Sequence, residues 1–154
     1  MVETSYKAEQ ILDWLSDVAD PEIPVLTIMD LGIVRGVDCS DGVEVSLTPT
    51  YSGCPATEAI EQNVVAALQE QGVADVRIKR VLSPAWTTDW ISPEGREKLR
   101  IYGIAPPERR NRPIECPLCG SSNTECVSEF GSTACKASYK CRDCLEPFEY
   151  FKCL

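Results

Sequence analysis

The stretch "VEVSLTPTYSGCPATEAIEQ", residues 43–62, joins two different hydrophobic patterns. In its first five residues apolar and polar side chains alternate, as they do in a half-buried β-strand. From Ala56 onward apolar side chains recur at helical spacing as far as Leu68. A single cysteine, Cys54, lies between the two patterns, flanked by glycine and proline. The stretch therefore predicts a strand, a loop and an amphipathic helix.

The segments on either side complete a small α+β domain. "IVRGV" precedes the quoted strand, and the Asp41-Gly42 pair between them suits a tight β-hairpin. Apolar spacing predicts a first helix from Ser5 to Val18, and "VADVRIKRV" alternates as a third strand. The predicted order is helix, strand, strand, helix, strand, with both helices packed on one face of the sheet.

A linker of proline and basic residues separates this domain from a cysteine-rich tail. Ser92 followed by Pro93 is a good helix start, which predicts one more short helix. Beyond it, "APPERRNRP" has the composition of a linker. We expect an α+β domain over residues 1–104, a linker over 105–113 and a minidomain over 114–154.

Cysteine and histidine usage restricts the chemistry of the chain. Seven of nine cysteines lie from residue 116 onward, in a segment too short and polar to fold on a core alone. Neither an export signal nor a long apolar run is present, so we expect a cytoplasmic protein whose paired cysteines bind metal rather than form disulfides. The absence of histidine excludes Ser-His-Asp and Cys-His nucleophiles and two-His-one-carboxylate iron. We therefore expect the chain not to be catalytic itself.

Charge is unevenly distributed along the chain. Residues 1–92 carry 15 acidic and 5 basic side chains, whereas residues 93–154 carry 9 and 10. An acidic body repels phosphate backbones, which argues against nucleic acid as the main partner. The basic segment "ERRNR" could bind nucleic acid, so a nucleic-acid-binding tail is a weaker alternative.

The tail contains two CxxC pairs separated by 21 residues. Two such knuckles supply four thiolates to one tetrahedral ion, and the four candidate ligands are Cys116, Cys119, Cys141 and Cys144. With a hairpin between the pairs and the strand "FEYF" after them, the pattern predicts a zinc ribbon in which zinc is structural. A rubredoxin-type iron site and a redox dithiol are the alternatives.

Three further cysteines of the tail exceed the tetrahedral set: Cys126, Cys135 and Cys153. The simplest interpretation is that they are small buried hydrophobic side chains. Cys135 is the best candidate among them for a second function.

Cys54 has two interpretations. Pro55 suits the first position of the helix, which places Cys54 at the cap, near unpaired N–H groups and the positive end of the dipole. There its thiolate is favoured, and a thiolate is a nucleophile and a soft-metal ligand. Three hydroxyl side chains surround it in the loop: Thr48, Thr50 and Ser52. A plain capping role remains the alternative.

Together, "DPEIPVLTIMDLGIVRGV", "TPTYSGCPATEAIEQNV" and "SPAWTTDWISPEGREKL" resemble the domain family associated with maturation of iron-sulfur proteins. With the ribbon added, the whole chain is similar to the accessory proteins of multicomponent phenylacetyl-CoA epoxidase. The resemblance implies that Asp20, Glu22 and Cys54 occupy the family's characteristic positions, with Cys54 as the reactive cysteine.

The resemblance also implies an auxiliary role in phenylacetate degradation. Partners would be the oxygenase or the iron-sulfur flavin reductase, and the cargo a transient iron ion or iron-sulfur cluster. Because one cysteine cannot hold a cluster alone, Cys54 would act with a nearby carboxylate or across a homodimer. A structural or regulatory subunit that only binds the epoxidase is the alternative.

Overall fold

The computed structural model describes residues 5–51, 54–108 and 112–152. The chain divides into two compact units, Met1–Trp90 and Ile91–Leu154. In the described part of the chain, no helix has both the length and the apolar character that crossing a membrane requires.

The first unit contains two helices and a three-stranded sheet. Its elements are α1 (Ala8–Leu15), β1 (Val34–Asp38), β2 (Val43–Leu47), α2 (Ala56–Glu70) and β3 (Val76–Arg80), followed by a 3-10 turn at Thr88–Trp90. The sheet order is β1-β2-β3, and the predicted order of elements and α+β class are confirmed. The helices contact each other, α1 contacts β1 and α2 contacts β3.

The two strand pairings of this sheet differ in direction. β1 and β2 form the predicted antiparallel hairpin, with Gly42 at φ +75° in its turn. β2 and β3 are parallel, so the chain must cross over between them, and α2 is that crossover. The loop that contains Cys54 therefore joins the carboxyl end of β2 to the amino end of α2.

The core of this unit follows the two periodicities seen in the sequence. Alternate residues of β2 are buried, and on α2 the buried residues recur every fourth position: Ile60, Val64 and Leu68. The helix α1 has Ser16 as its C-cap residue and is shorter than the predicted 5–18. The loop from Asp17 to Ile33 that follows includes the prolines that helix propagation does not tolerate.

The second unit is a four-stranded sheet preceded by a helix. Its elements are α3 (Pro93–Tyr102), β4 (Ile104–Ala105), β5 (Thr124–Ser128), β6 (Lys136–Cys141) and β7 (Pro147–Phe151). The order is β4-β7-β6-β5, with β4 parallel to β7 and the other pairs antiparallel. As predicted, Ser92 caps α3, its hydroxyl accepting the Gly95 N–H at 3.0 Å.

The compact units divide after Trp90, and the predicted bounds of 1–104, 105–113 and 114–154 stay predictions. β4 pairs with β7 at the start of the segment predicted to be a linker. Ala105 is buried among the ribbon core residues Phe148 and Tyr150. Residues 109–111 of the predicted linker lie outside the described part of the chain.

Candidate metal centre and the Cys54 loop

The four predicted ribbon ligands converge. The sulfurs of Cys116, Cys119, Cys141 and Cys144 all lie within 4.8 Å of one another. Cys116 and Cys144 are 3.8 Å apart between sulfurs, and Cys119 and Cys141 are 3.5 Å apart. A zinc tetrahedron with Zn–S bonds of about 2.3 Å has sulfurs about 3.8 Å apart. The donor set and its spacing therefore fit a structural metal ion.

Each knuckle is shaped by its own backbone. In the first, the Gly120 N–H donates to the Cys116 carbonyl at 2.8 Å, and Gly120 has φ +78°. In the second, the Cys141 N–H donates to the Glu146 carbonyl at 3.1 Å, and the left-handed position is taken by Leu145 at φ +66°. Leucine rarely adopts this conformation, so the second knuckle carries strain that the first avoids.

The thiols of the quartet differ in acidity. The Cys144 N–H, 3.5 Å from the Cys141 sulfur, lowers the pKa of Cys141 to about 7, although burial opposes it. The Glu146 N–H favours the Cys144 thiolate, but burial and the neighbouring sulfurs outweigh it and raise the pKa of Cys144 to about 12. Because neighbouring thiolates repel one another, four thiolates at this spacing require a cation.

The metal site doubles as part of the small ribbon core. Cys116 and Cys141 are buried with Phe148 and Tyr150, and Cys144 packs against the same cluster. Cys119 is the exposed member of the quartet. Ligands built into so small a core suit a metal ion that stabilises the fold.

The cysteines outside the quartet differ from one another. Cys135 is buried, as predicted, with its sulfur 3.0 Å from the Thr133 hydroxyl. The prediction of burial is wrong for Cys126, which is exposed on β5, the edge strand of the described sheet. Cys153 lies outside the described residues. Cys39, half-buried at the end of β1, is part of no sequence motif; burial, then the neighbouring Asp38 charge, raises its pKa.

Cys54 is half-buried immediately before α2. Its N–H donates to the Tyr51 carbonyl at 3.3 Å, and its own carbonyl accepts the Thr57 N–H at 3.2 Å. Pro55, rather than Cys54, occupies the N-cap position, and no side chain caps the helix. Cys54, predicted to be the cap, therefore lies one residue before the observed cap, a difference within the usual variation of helix boundaries.

Asp20 and Glu22 lie in one turn of the loop after α1. The Asp20 carboxylate is buried, and its Oδ1 accepts the N–H groups of Glu22 and Ile23, both at 2.8 Å. The side chain of Asp20 therefore organises the turn, and Glu22 is half-buried beside it. Among residues 5–51, 54–108 and 112–152, the ribbon quartet is the one group of three or more ligating side chains, so Cys54, Asp20 and Glu22 do not form such a group.

Two family models match the chain. A model of the PaaD zinc beta ribbon domain matches residues 105–152, and a model of iron-sulfur cluster assembly proteins matches residues 8–79. The chain is 49% identical over 155 residues to a protein of Escherichia coli (strain K12) described as a component of 1,2-phenylacetyl-CoA epoxidase. That alignment covers 96% of this chain and 94% of the relative.

Two solved structures resemble part of the chain. A domain of unknown function from Bacillus anthracis is 26% identical, with a TM-score of 0.56, and the match covers 61% of this chain and 92% of that one. A conserved hypothetical protein from Thermotoga maritima is 31% identical, with a TM-score of 0.52, and the match covers 64% and 98%.

Proposed function

Because the chain belongs to the PaaD family of phenylacetyl-CoA epoxidase components, we propose that it is an accessory protein of that epoxidase in cytoplasmic phenylacetate catabolism. Its task is to deliver or mature iron, or an iron-sulfur cluster, for another component of the system. The oxygenase and the iron-sulfur flavin reductase are the candidate clients.

One observation carries this proposal. A segment that matches iron-sulfur cluster assembly proteins, residues 8–79, lies within a chain similar to an epoxidase component over nearly its whole length. A domain of the iron-sulfur assembly type and a likeness to an epoxidase component thus occur in one polypeptide, which supports the proposal. The lack of histidine supports a carrier rather than an oxygenase, since two-His-one-carboxylate and di-iron bundle sites both need imidazole ligands.

Cys54 is the residue to which we assign the cargo. It lies next to Pro55, the N-cap residue of the 15-residue helix α2. A thiolate there is a soft ligand for iron, and a carboxylate of Asp20 or Glu22 would supply a further ligand. The remaining ligands come from a second copy of the chain or from the client.

The ribbon has a different task in this proposal. Four cysteine sulfurs complete a tetrahedral zinc site and leave no position for exchange, which suits a structural metal. In this proposal zinc stabilises the fold of the ribbon, and Cys54 binds the iron cargo transiently.

The decisive experiment replaces the cysteine and follows the client. Cells that produce only Cys54→Ser should yield oxygenase or reductase poor in iron or sulfide, while the variant keeps its zinc and its folding. Cys39→Ser is the matched control, since Cys39 is another half-buried cysteine of the same unit. A fully loaded client from Cys54→Ser cells would refute the carrier function.

A structural or regulatory subunit is the second candidate. Large apolar side chains of the second unit are exposed and suit protein binding; they include Leu118, Val127, Phe130 and Leu145. Full epoxidase activity with Cys54→Ser, together with stoichiometric co-purification of the chain with the oxygenase, would favour this function.

A further inference from the structure

A cavity of about 320 Å³ lies beside the first knuckle of the ribbon. The segment after β4, with Pro106 and Glu108, lines one part of it, and the knuckle, with Glu115 and Leu118, lines another. The described residues that line it all belong to the second compact unit. Ligand pockets in proteins measure about 300–1,000 Å³, so this cavity suits one side chain rather than a large cofactor.

Hydrogen bonds fix the backbone on both sides of the cavity. Arg96 Nη1 donates to the Pro107 carbonyl at 2.8 Å, which holds the segment after β4 against α3. In the knuckle, the Cys116 N–H donates to the Ser121 carbonyl, also at 2.8 Å. The cavity is therefore formed before a ligand arrives, which lowers the entropy cost of binding.

The carboxylates of the cavity lack balancing cations. Neither Glu108 nor Glu115 has an ion-pair partner among the described residues. Arg100 is the one cation among the described residues that line the cavity, and its Nε and Nη2 both donate to the Glu97 carboxylate. Because that charge is already balanced, the two free carboxylates make the cavity attractive to a cation.

The metal site adds to this negative charge. Cys116 and Cys119 line the same cavity. Four thiolates carry more negative charge than one Zn²⁺ neutralises, so a zinc-loaded quartet remains a net anion. Cys119 is the exposed member of the quartet, and a thiolate sulfur accepts hydrogen bonds from cationic donors.

The remaining lining of the cavity is largely apolar. Pro106 and Pro117 contribute to it, and Leu118 is 57% exposed at its edge. A long basic side chain matches such a lining, because its aliphatic part packs on apolar surface while its charged end reaches polar groups. Arginine suits it better than lysine, since the guanidinium has five donors in a planar fork that pairs with carboxylates.

We propose that this cavity binds an arginine side chain of a partner protein, within a segment whose neighbouring residues are apolar. The guanidinium pairs with the carboxylates of Glu108 and Glu115, and the apolar neighbours pack on Leu118. The site does not involve Cys54, so it is available whether the chain is a carrier or a structural subunit. The inference therefore goes beyond the proposed function and can fail without it.

The test titrates the full-length, zinc-loaded chain with the acetylated and amidated tripeptide leucine-arginine-leucine. The control peptide has citrulline in place of arginine, which keeps the size and removes the charge. Amide shifts in ¹H–¹⁵N spectra report both affinity and location. The protein variant is Glu108→Gln with Glu115→Gln, and its control is Glu146→Gln, an exposed carboxylate two residues after Cys144 that is not among the residues lining the cavity.

We expect the arginine peptide to shift the amide signals of residues 115–120 more than those of residues 141–146. The double variant should bind this peptide about 10-fold more weakly than the wild type, and the wild type should bind the citrulline peptide more weakly by a similar factor. Glu146→Gln should stay within about twofold of the wild type. Added salt should weaken binding of the arginine peptide and change that of the citrulline peptide little.

A second variant serves if the double variant loses zinc. Leu118→Ala removes apolar contact without changing charge and should weaken binding of the arginine peptide by about threefold or more. Val127→Ala, at another exposed apolar side chain of the second unit, should not change the affinity.

Four results would overturn the inference. Equal binding of the two peptides would refute the argument from charge, and unchanged binding by both the double variant and Leu118→Ala would place the peptide elsewhere. A wild type that binds neither peptide would refute the site. If sedimentation shows a dimer of the wild type that the double variant does not form, the occupant is a second copy of the chain rather than a partner protein.

Discussion

Replacing Asp20 by alanine separates the structural role of this residue from its proposed role as a ligand. Oδ1 accepts two N–H groups at 2.8 Å, one of them the buried N–H of Ile23. Alanine leaves both donors without this acceptor. Asparagine retains an oxygen at the same position but loses the charge, so it tests the carboxylate while preserving the turn.

The two hydrogen bonds set the size of the effect. Each hydrogen bond to a charged group contributes about 1.5–3 kcal/mol, and water can replace the acceptor in part at the half-buried Glu22 N–H. We therefore expect Asp20→Ala to lower the free energy of unfolding by about 3 kcal/mol. Asp20→Asn exchanges two charged hydrogen bonds for neutral ones and should cost about 1 kcal/mol.

Urea unfolding of the first unit provides the measurement. All three tryptophans of the chain lie in Met1–Trp90, so their fluorescence reports this unit. With a slope of about 1.5 kcal/mol per molar urea, the midpoint should fall by about 2 M in Asp20→Ala and by less than about 1 M in Asp20→Asn. Asp17→Ala, an exposed carboxylate nearby, is the control and should change the midpoint little.

Measuring the iron and sulfide content of the client then tests whether Asp20 is a ligand of the cargo. If the carboxylate of Asp20 binds the cargo, Asp20→Asn should give a poorly loaded client although its stability is close to that of the wild type. A midpoint shift below about 0.3 M in Asp20→Ala would refute the structural reasoning, since two hydrogen bonds at 2.8 Å would then contribute almost nothing.

Three further predictions concern the ribbon and the core. Leu145→Gly should relieve the left-handed backbone strain and make the free energy of zinc binding more favourable by about 1 kcal/mol. Gly120→Leu should make it less favourable by about 1–2 kcal/mol. Competition with a chromogenic chelator measures the zinc affinity of both variants. Since the pKa values of Cys119 and Cys144 are raised, zinc binding near pH 7 should release about two protons or more and tighten as pH rises, which calorimetry in two buffers checks. Trp86→Phe removes the hydrogen bond that the indole N–H donates to the Leu31 carbonyl at 2.7 Å and should lower the free energy of unfolding in urea by about 1–3 kcal/mol; an unchanged free energy would mean that this hydrogen bond does not stabilise the fold.

Features encoded by local spacing could be read from the sequence. The knuckle spacing alone predicts the metal quartet, because each CxxC directs two sulfurs to one point. The Asp41-Gly42 pair predicts the hairpin, because glycine supplies the positive φ that its turn requires. The start of α3 at Ser92 and Pro93 is another local signal, and the structure contains it.

Features that depend on tertiary pairing could not be read. The parallel pairing of β2 with β3 depends on how α2 returns the chain, which leaves no mark on strand periodicity. β4 is a two-residue strand, too short for any pattern, and yet it joins residues 104 and 105 to the ribbon sheet. The exposure of Cys126 and the burial of Thr48 likewise depend on which neighbours cover each side chain.

On the proposed function, the contrast between the two cysteine environments would let one chain retain one metal and release another. Four thiolates that complete a tetrahedron leave an ion no open position, so a metal bound in the ribbon would exchange slowly and stabilise the fold. Cys54 offers a single thiol, and any iron centre bound to it needs ligands from another molecule. On the proposed function, that incompleteness sets the direction of transfer, because the cargo is bound more tightly by a client that supplies the full set of ligands. A carrier with a complete site at Cys54 would compete with its own client.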